Sequence, residues 1–150
     1  MTEVSFYHLQ RAPLAETLPR LLARVLAAGL RAVVLCGSPE QVEALDASLW
    51  THDPASFLPH GTGAAGLAAR QPIYLTTTEE NPNGATVLVV VDGAMPASIT
   101  GFDRCLDMFD GDDTVALEAA RERWRRYKEA GLTLTYWQQT AGGGWEKKFG

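Results

Sequence analysis

The sequence predicts an α/β fold, a single three-layer domain whose mainly parallel sheet carries helices on both faces. Strand and helix patterns alternate along the chain, as they do in parallel sheets built from strand–helix–strand units. Several candidate strands are short, uninterrupted apolar runs, which is typical of strands buried on both faces. With 150 residues, of which 46% are hydrophobic and 21% charged, the chain has the size and composition of one domain spanning 1–150.

The first part of the chain contains a strand, a helix and a second strand. Residues 4–9 (VSFYHL) predict the first strand. Leucine and valine then recur at helical spacing over 14–26, and Gly29 follows as a helix stop. The apolar run 31–36 (RAVVLC) predicts a strand inside a parallel sheet.

A second helix is predicted from its start signals. Ser38 can cap the helix, Pro39 suits the first helical position, and Gln41 completes a capping box. The apolar spacing carries this helix to a point near Trp50.

The rest of the chain adds strands around one more helix. A long loop is expected over 51–71. Three strands follow, at 72–76, 85–91 and 102–109, the last favoured over a helix. A helix at 112–131 and a final strand at 132–139 complete the domain, and residues from about 140 to 150 form a flexible or edge-packed end.

Two patterns invite comparison with nucleotide-binding enzymes. Gly61, Gly63 and Gly66 spell G-x-G-x-x-G, which binds a pyrophosphate when it joins a strand to a helix. Here a segment without a strand pattern precedes the glycines, so we interpret them as a flexible surface loop. Asp92 ends an apolar strand, but no phosphate-binding GxxxxGK[ST] accompanies it, and an Asp-Gly turn is the simpler interpretation.

No metal or catalytic site is predicted. The acidic segment 107–113 places apolar residues where a calcium loop needs oxygen ligands, and Asp112 or Asp113 instead suits the cap of the next helix. The three histidines lack metal-ligand spacing, and Cys36 and Cys105 form no CxxC pair. With neither a signal peptide nor an apolar run of ~20 residues, we expect a cytoplasmic protein with reduced thiols and no cofactor.

The helix predicted for 112–131 concentrates positive charge around a tryptophan. Five of the chain's 13 basic residues lie within eight positions around Trp124, although the chain has a formal net charge of −5. Helical spacing turns Trp124 toward the sheet. Arg121, Arg125 and Lys128 fall on an adjoining stripe, so their charged ends should emerge beside the indole.

Two interpretations of this stripe remain open on the residues alone. The first is a solvated helix laced with Glu–Arg pairs. The second is a binding site for an acidic peptide that ends in an apolar side chain and a carboxylate, since arginine stays charged and binds carboxylates well. An acidic chain is poorly suited to following nucleic-acid phosphates, which disfavours direct DNA binding.

An ordered set of segments resembles the chi subunit of bacterial DNA polymerase III. The segments are FYHL (6–9), LW (49–50), SFLPH (56–60), VVD (90–92), DMFDG (107–111) and ARERWRRYKEAG (120–131). The resemblance touches nearly the whole chain. It implies a Rossmann-like α/β fold without a nucleotide site and without known catalysis.

The resemblance also implies partners. Chi proteins are accessory subunits of the clamp loader, and they bind the psi subunit and the acidic C-terminal tail of single-stranded DNA-binding protein, which ends in phenylalanine. The tail site maps onto Arg121, Trp124 and Arg125, to which we add Lys128 from the same stripe. Leu117 stands where some relatives have a basic residue, which would weaken the grip on the acidic residues of the tail.

A second surface is implied for psi, or for a helicase that competes for the same face. It maps onto Trp50, Phe57, Pro59 and His60. The alternative function is a small nucleotide-binding α/β enzyme that uses the loop from Gly61 to Gly66 together with Asp92.

Overall fold

A computed structural model describes residues 2–9, 14–51, 60–62, 72–91, 94, 96, 99, 101–111, 113–140 and 145–149. The strands in these ranges are β1 (Glu3–Leu9), β2 (Ala32–Leu35), β3 (His60–Thr62), β4 (Ile73–Thr76), β5 (Val87–Val90), β6 (Arg104–Asp110), β7 (Thr133–Gln139) and β8 (Trp145–Phe149). The helices are α1 (Leu14–Ala27), α2 (Pro39–Thr51) and α3 (Thr114–Glu129).

The strands form one sheet in the order β3-β4-β2-β5-β6-β1-β7-β8. Strands β1 to β7 pair in parallel, and β8 alone among the described strands runs antiparallel to its neighbour. The predicted fold class, α/β with a mainly parallel sheet, is therefore confirmed. The antiparallel β8 ends the sheet at the edge opposite β3.

Helices cover both faces of the sheet, as predicted. On one face the buried side chains of α1 and α2, such as Leu22 and Leu45, pack with Val34 and Val89 of the central strands. On the other face, Ala120 of α3 packs with residues that point the opposite way from the same strands. This alternation explains why the apolar runs in β2 and β5 have no polar side, since both faces of each strand are buried.

The predicted helix ends are confirmed where the structure describes them. Gly29 follows α1 with a φ of 77°, a left-handed conformation that glycine adopts without steric cost. The backbone N–H of Gln41 donates to Ser38 Oγ at 3.2 Å and caps α2. Asp113 caps α3 by accepting from the N–H groups of Val115 and Ala116 at 3.0 and 3.3 Å. Of the two aspartates considered, Asp112 lies outside the described residues.

Two predictions were wrong, one for the loop at 51–71 and one for the last strand. The glycine-rich loop begins inside a strand, because 60–62 form β3 and pair with β4, His60 opposite Ile73. The segment 132–139 is not the final strand, because Trp145–Phe149 forms β8 along its edge. Both short strands are held by backbone pairing, which leaves little trace in side-chain pattern. Within the predicted flexible or edge-packed end, the described residues 145–149 pair with β7.

Candidate functional site

An open groove of about 1340 Å³ lies between α3 and the strands at the β7–β8 side of the sheet. Its walls come from five elements, β1, β6, α3, β7 with the residue before it, and β8. The lining residues are His8, Phe109, Leu117, Ala120, Arg121, Trp124, Arg125, Lys128, Leu132, Leu134, Tyr136, Gln138 and Lys148. The groove is thus an aromatic and aliphatic channel with basic side chains at its border.

All four residues predicted for peptide binding line this groove. Arg121, Arg125 and Lys128 are exposed, while Trp124 is half-buried. They come together because spacings of three and four residues place them on one side of α3. The structure therefore brings together the predicted set, and the cations border the groove beside the indole.

Trp124 is held in place by edge-on contacts with other aromatic rings. Its ring centroid lies 5.4 Å from that of Phe6 on β1 and 5.8 Å from that of Tyr136 on β7. Such T-shaped pairs are favourable beyond the area that they bury. The indole is therefore a fixed wall, anchored on the sheet.

The floor of the groove contains a polar pair that sequence reasoning missed. His8 Nδ1 and the Tyr136 hydroxyl share a hydrogen bond of 2.6 Å. Burial raises the pKa of Tyr136, although the charge of Arg121 opposes the rise, so the phenol stays protonated at neutral pH. Gly111 leaves the space for the His8 ring, since a Cβ at Gly111 would overlap it. The alternation of side chains along β1 and β7 is the one sequence signal for this pair, because it determines which face of the sheet His8 and Tyr136 occupy.

A buried ion pair attaches α3 to the sheet. Arg123 is 2% exposed and Asp107 of β6 is 0% exposed. The guanidinium donates from Nε to Oδ2 at 2.6 Å and from Nη2 to Oδ1 at 2.9 Å. Burial raises the pKa of Asp107, and the two hydrogen bonds and charge of Arg123 act in the other direction. In the sequence, Arg123 is only one of the five basic residues around Trp124.

One exposed ion pair on α3 fits the interpretation as a solvated charged helix. Arg125 Nη2 donates to Glu122 Oε2 at 2.8 Å, with both side chains largely exposed. Exposed pairs of this kind contribute little to stability. Separating Arg125 from Glu122 therefore costs little.

The residues of the second predicted surface are described only in part. Trp50 lies near the end of α2, and His60 opens β3. Because α2 contacts β3, these two positions lie on neighbouring elements at the sheet edge remote from β8. Phe57 and Pro59 lie outside the described residues.

The nucleotide-binding alternative loses support from the backbone. Its motif needs a turn between strand and helix at the first glycine, whereas Gly61 lies inside β3. Gly63, Gly66 and Asp92 lie outside the described residues. Within the described ranges, no three histidine, cysteine, aspartate or glutamate side chains group as metal ligands do. Nor is any helix there long and apolar enough to cross a membrane.

The fold and the groove together define a small α/β domain with an open groove lined by basic and aromatic side chains. The family model described as "DNA polymerase III chi subunit, HolC" matches residues 1–135. The chain belongs to this family of chi subunits, and it is therefore an accessory subunit of DNA polymerase III that serves DNA replication.

Individual relatives agree with the family. A probable DNA polymerase III subunit chi of Rickettsia prowazekii is 31% identical over 109 residues, which cover 73% of this chain and 66%, just under two thirds, of that protein. The chi subunit of Pseudomonas aeruginosa is 27% identical over 137 residues, with 89% and 94% covered. That of Escherichia coli is 25% identical over 107 residues, with 71% and 72% covered.

Proposed function

We propose that this chi-family subunit is a non-catalytic adaptor of the clamp loader, and that it links the polymerase to single-stranded DNA-binding protein by gripping its acidic C-terminal tail. For a bacterial replication complex the site of action is the cytoplasm. The observation that carries the proposal is the groove itself, where three exposed cations border an aromatic wall. That combination suits a peptide ending in an apolar side chain and a carboxylate.

Each residue of the site has a distinct role in this proposal. Arg121 binds the terminal carboxylate, and Trp124 flanks the space for the last phenylalanine. Arg125 and Lys128 attract the acidic residues upstream. The apolar side chains Leu132 and Leu134 line the same groove and offer further surface for the phenylalanine ring. Leu117 lines it too, where a basic residue would add charge.

The test is titration with a labelled C-terminal peptide of the same organism's single-stranded DNA-binding protein, followed by fluorescence anisotropy. Arg121→Ala should cost roughly 2–4 kcal/mol, or about 30- to 1,000-fold in affinity, because a hydrogen-bonded charge in the bound complex is lost. Arg125→Ala should reduce the affinity less, because Arg125 is an exposed charge at the border of the groove. Amidating the peptide's C-terminus should have the same effect as Arg121→Ala.

Arg126→Ala is the matched control, because Arg126 is an exposed arginine of the same helix that does not line the groove. Circular dichroism should show each variant folded. If Arg121→Ala binds as tightly as Arg126→Ala, the proposed site is wrong.

We also propose the second surface, formed by Trp50, Phe57, Pro59 and His60, as the contact for psi or for a competing helicase. Support comes from the family resemblance and from the position of α2 and β3 at the edge opposite the groove. Changes at Trp50 or Phe57 should accordingly leave tail affinity unaltered, since distant sites behave additively.

A further inference from the structure

The last strand, β8, supplies the groove with a basic residue from outside α3. Lys148 lines the groove together with Tyr136 and Gln138 of the neighbouring strand. It belongs to β8, which pairs with β7 at the edge of the sheet. The groove therefore has cations on two separate elements, α3 and β8.

The register of β8 explains why Lys148 faces the groove. Gln138 pairs with Glu146 and Trp137 with Lys147, but Tyr136 pairs with Phe149, so Lys148 is an extra residue on β8. Such a β-bulge redirects a side chain and bends the strand. Lys147, which is opposite Trp137, belongs to the other face by the alternation of the strand.

A contact on that other face fixes the strand. The rings of Trp145 and Tyr7 meet edge-on with centroids 5.1 Å apart, and Trp145 packs against the hydrophobic cluster beneath α1 and α2. Since Trp145 anchors β8 to the sheet, Lys148 is presented from a fixed backbone.

Lys148 already has an acidic partner within the strand. Its Nζ lies 3.3 Å from Glu146 Oε1, with exposed fractions of 39% and 60% for the two side chains. By the pairing of Glu146 with Gln138, the glutamate belongs to the face of the groove. Exposed pairs of this kind exchange partners at little cost.

We propose that Lys148 is a specificity residue of the groove, which binds an acidic residue upstream of the apolar terminus of the peptide, and that Glu146 occupies Lys148 until the ligand replaces it. The inference rests on the proposed function, because it concerns the same ligand. It predicts that β8 selects for acidic residues in the ligand, whereas Arg121 and Trp124 select for its terminus.

The experiment compares Lys148→Gln with Lys147→Gln, which removes the same charge from the neighbouring position on the other face. With the tail peptide, Lys148→Gln should weaken binding about two- to five-fold, as expected for an exposed charge pair, and Lys147→Gln should leave affinity unchanged. Glu146→Gln should strengthen binding by a similar factor, and should have no effect when combined with Lys148→Gln.

A second peptide, with its acidic residues replaced by asparagine and its terminal phenylalanine kept, should bind parent and Lys148→Gln equally. The difference for the acidic peptide should vanish when NaCl rises from about 0.1 M to about 1 M, which shortens the screening length from about 10 Å to about 3 Å. Equal effects of Lys148→Gln and Lys147→Gln on the acidic peptide would overturn the inference. If Arg121→Ala still weakened binding by about 30-fold or more in that case, the proposed function would stand. If Arg121→Ala bound as tightly as Arg126→Ala, both would fail.

Discussion

Replacing Arg123 by methionine should destabilise the protein in a way that depends on pH. The change removes both hydrogen bonds to Asp107 and leaves a fully buried carboxylate without its partner. Breaking a buried pair in this way typically costs about 3–5 kcal/mol. That is a large share of the roughly 5–15 kcal/mol by which domains are stable.

The variant can relieve this cost by protonating Asp107. With an unfolded pKa of about 3.9, neutralising the carboxyl costs about 4 kcal/mol at pH 7 but only about 1.5 kcal/mol at pH 5. Burial raises the pKa of Asp107 and Arg123 opposes the rise, so removing Arg123 leaves burial unopposed. A group with a raised folded pKa contributes stability below its unfolded pKa, and that contribution is lost as pH rises toward the folded pKa. Arg123→Met should therefore lose much less stability at pH 5 than at pH 7.

Urea unfolding followed by far-ultraviolet circular dichroism at the two pH values gives the measurement. The double variant Asp107→Asn with Arg123→Met should regain stability and lose the pH dependence, because both members of the pair are then uncharged. Arg126→Met, an exposed change on the same helix, is the control. Equal losses for Arg123→Met at both pH values would refute the reasoning, and so would a loss no larger than that of Arg126→Met.

Two further predictions concern the contact between Gly111 and His8 and the burial of Cys105. Gly111→Ala should destabilise the protein because its Cβ would overlap the His8 ring, and adding His8→Ala should restore much of the lost stability. Urea unfolding midpoints of the single and double variants test this. Stability losses that simply add in the double variant would contradict it. Burial raises the pKa of the Cys105 thiol. The buried thiol therefore contributes stability below the unfolded thiol pKa of about 8.5. Above that pH the protein loses about 1.4 kcal/mol of stability per pH unit. Cys105→Ala should therefore flatten the fall in urea midpoint between pH 8.5 and about 10, and an unchanged slope would contradict this.

Much of the fold could be predicted because its signals are local. The caps Ser38 and Asp113 act within three residues of their own helix starts, and the apolar strands carry their burial in their composition. The stripe of Arg121 and Arg125 was likewise predictable, because helical periodicity alone determines which side chains share a face.

What could not be predicted depends on pairs distant in the chain. Helical spacing places Arg123 three residues after the buried Ala120, but a charged side chain is buried only with a partner. That partner, Asp107, lies sixteen residues earlier on another element. The place of Lys148 depends on a one-residue register shift between β7 and β8. Backbone pairing between strands determines this register, and the pattern of side chains along a strand indicates it only weakly.

The width of the sheet has a consequence for how two partners would be coupled. From β3 to β8 there are seven strand spacings of about 4.8 Å, or about 34 Å. Charges on a partner at one edge are screened from the other, because the screening length at physiological salt is about 8 Å. If the two proposed partners bind where we propose, a protein at β3 and a peptide in the groove would bind independently of each other. The coupling between the two partners would then come from effective concentration, because this domain would hold the molecules attached to each partner close to one another.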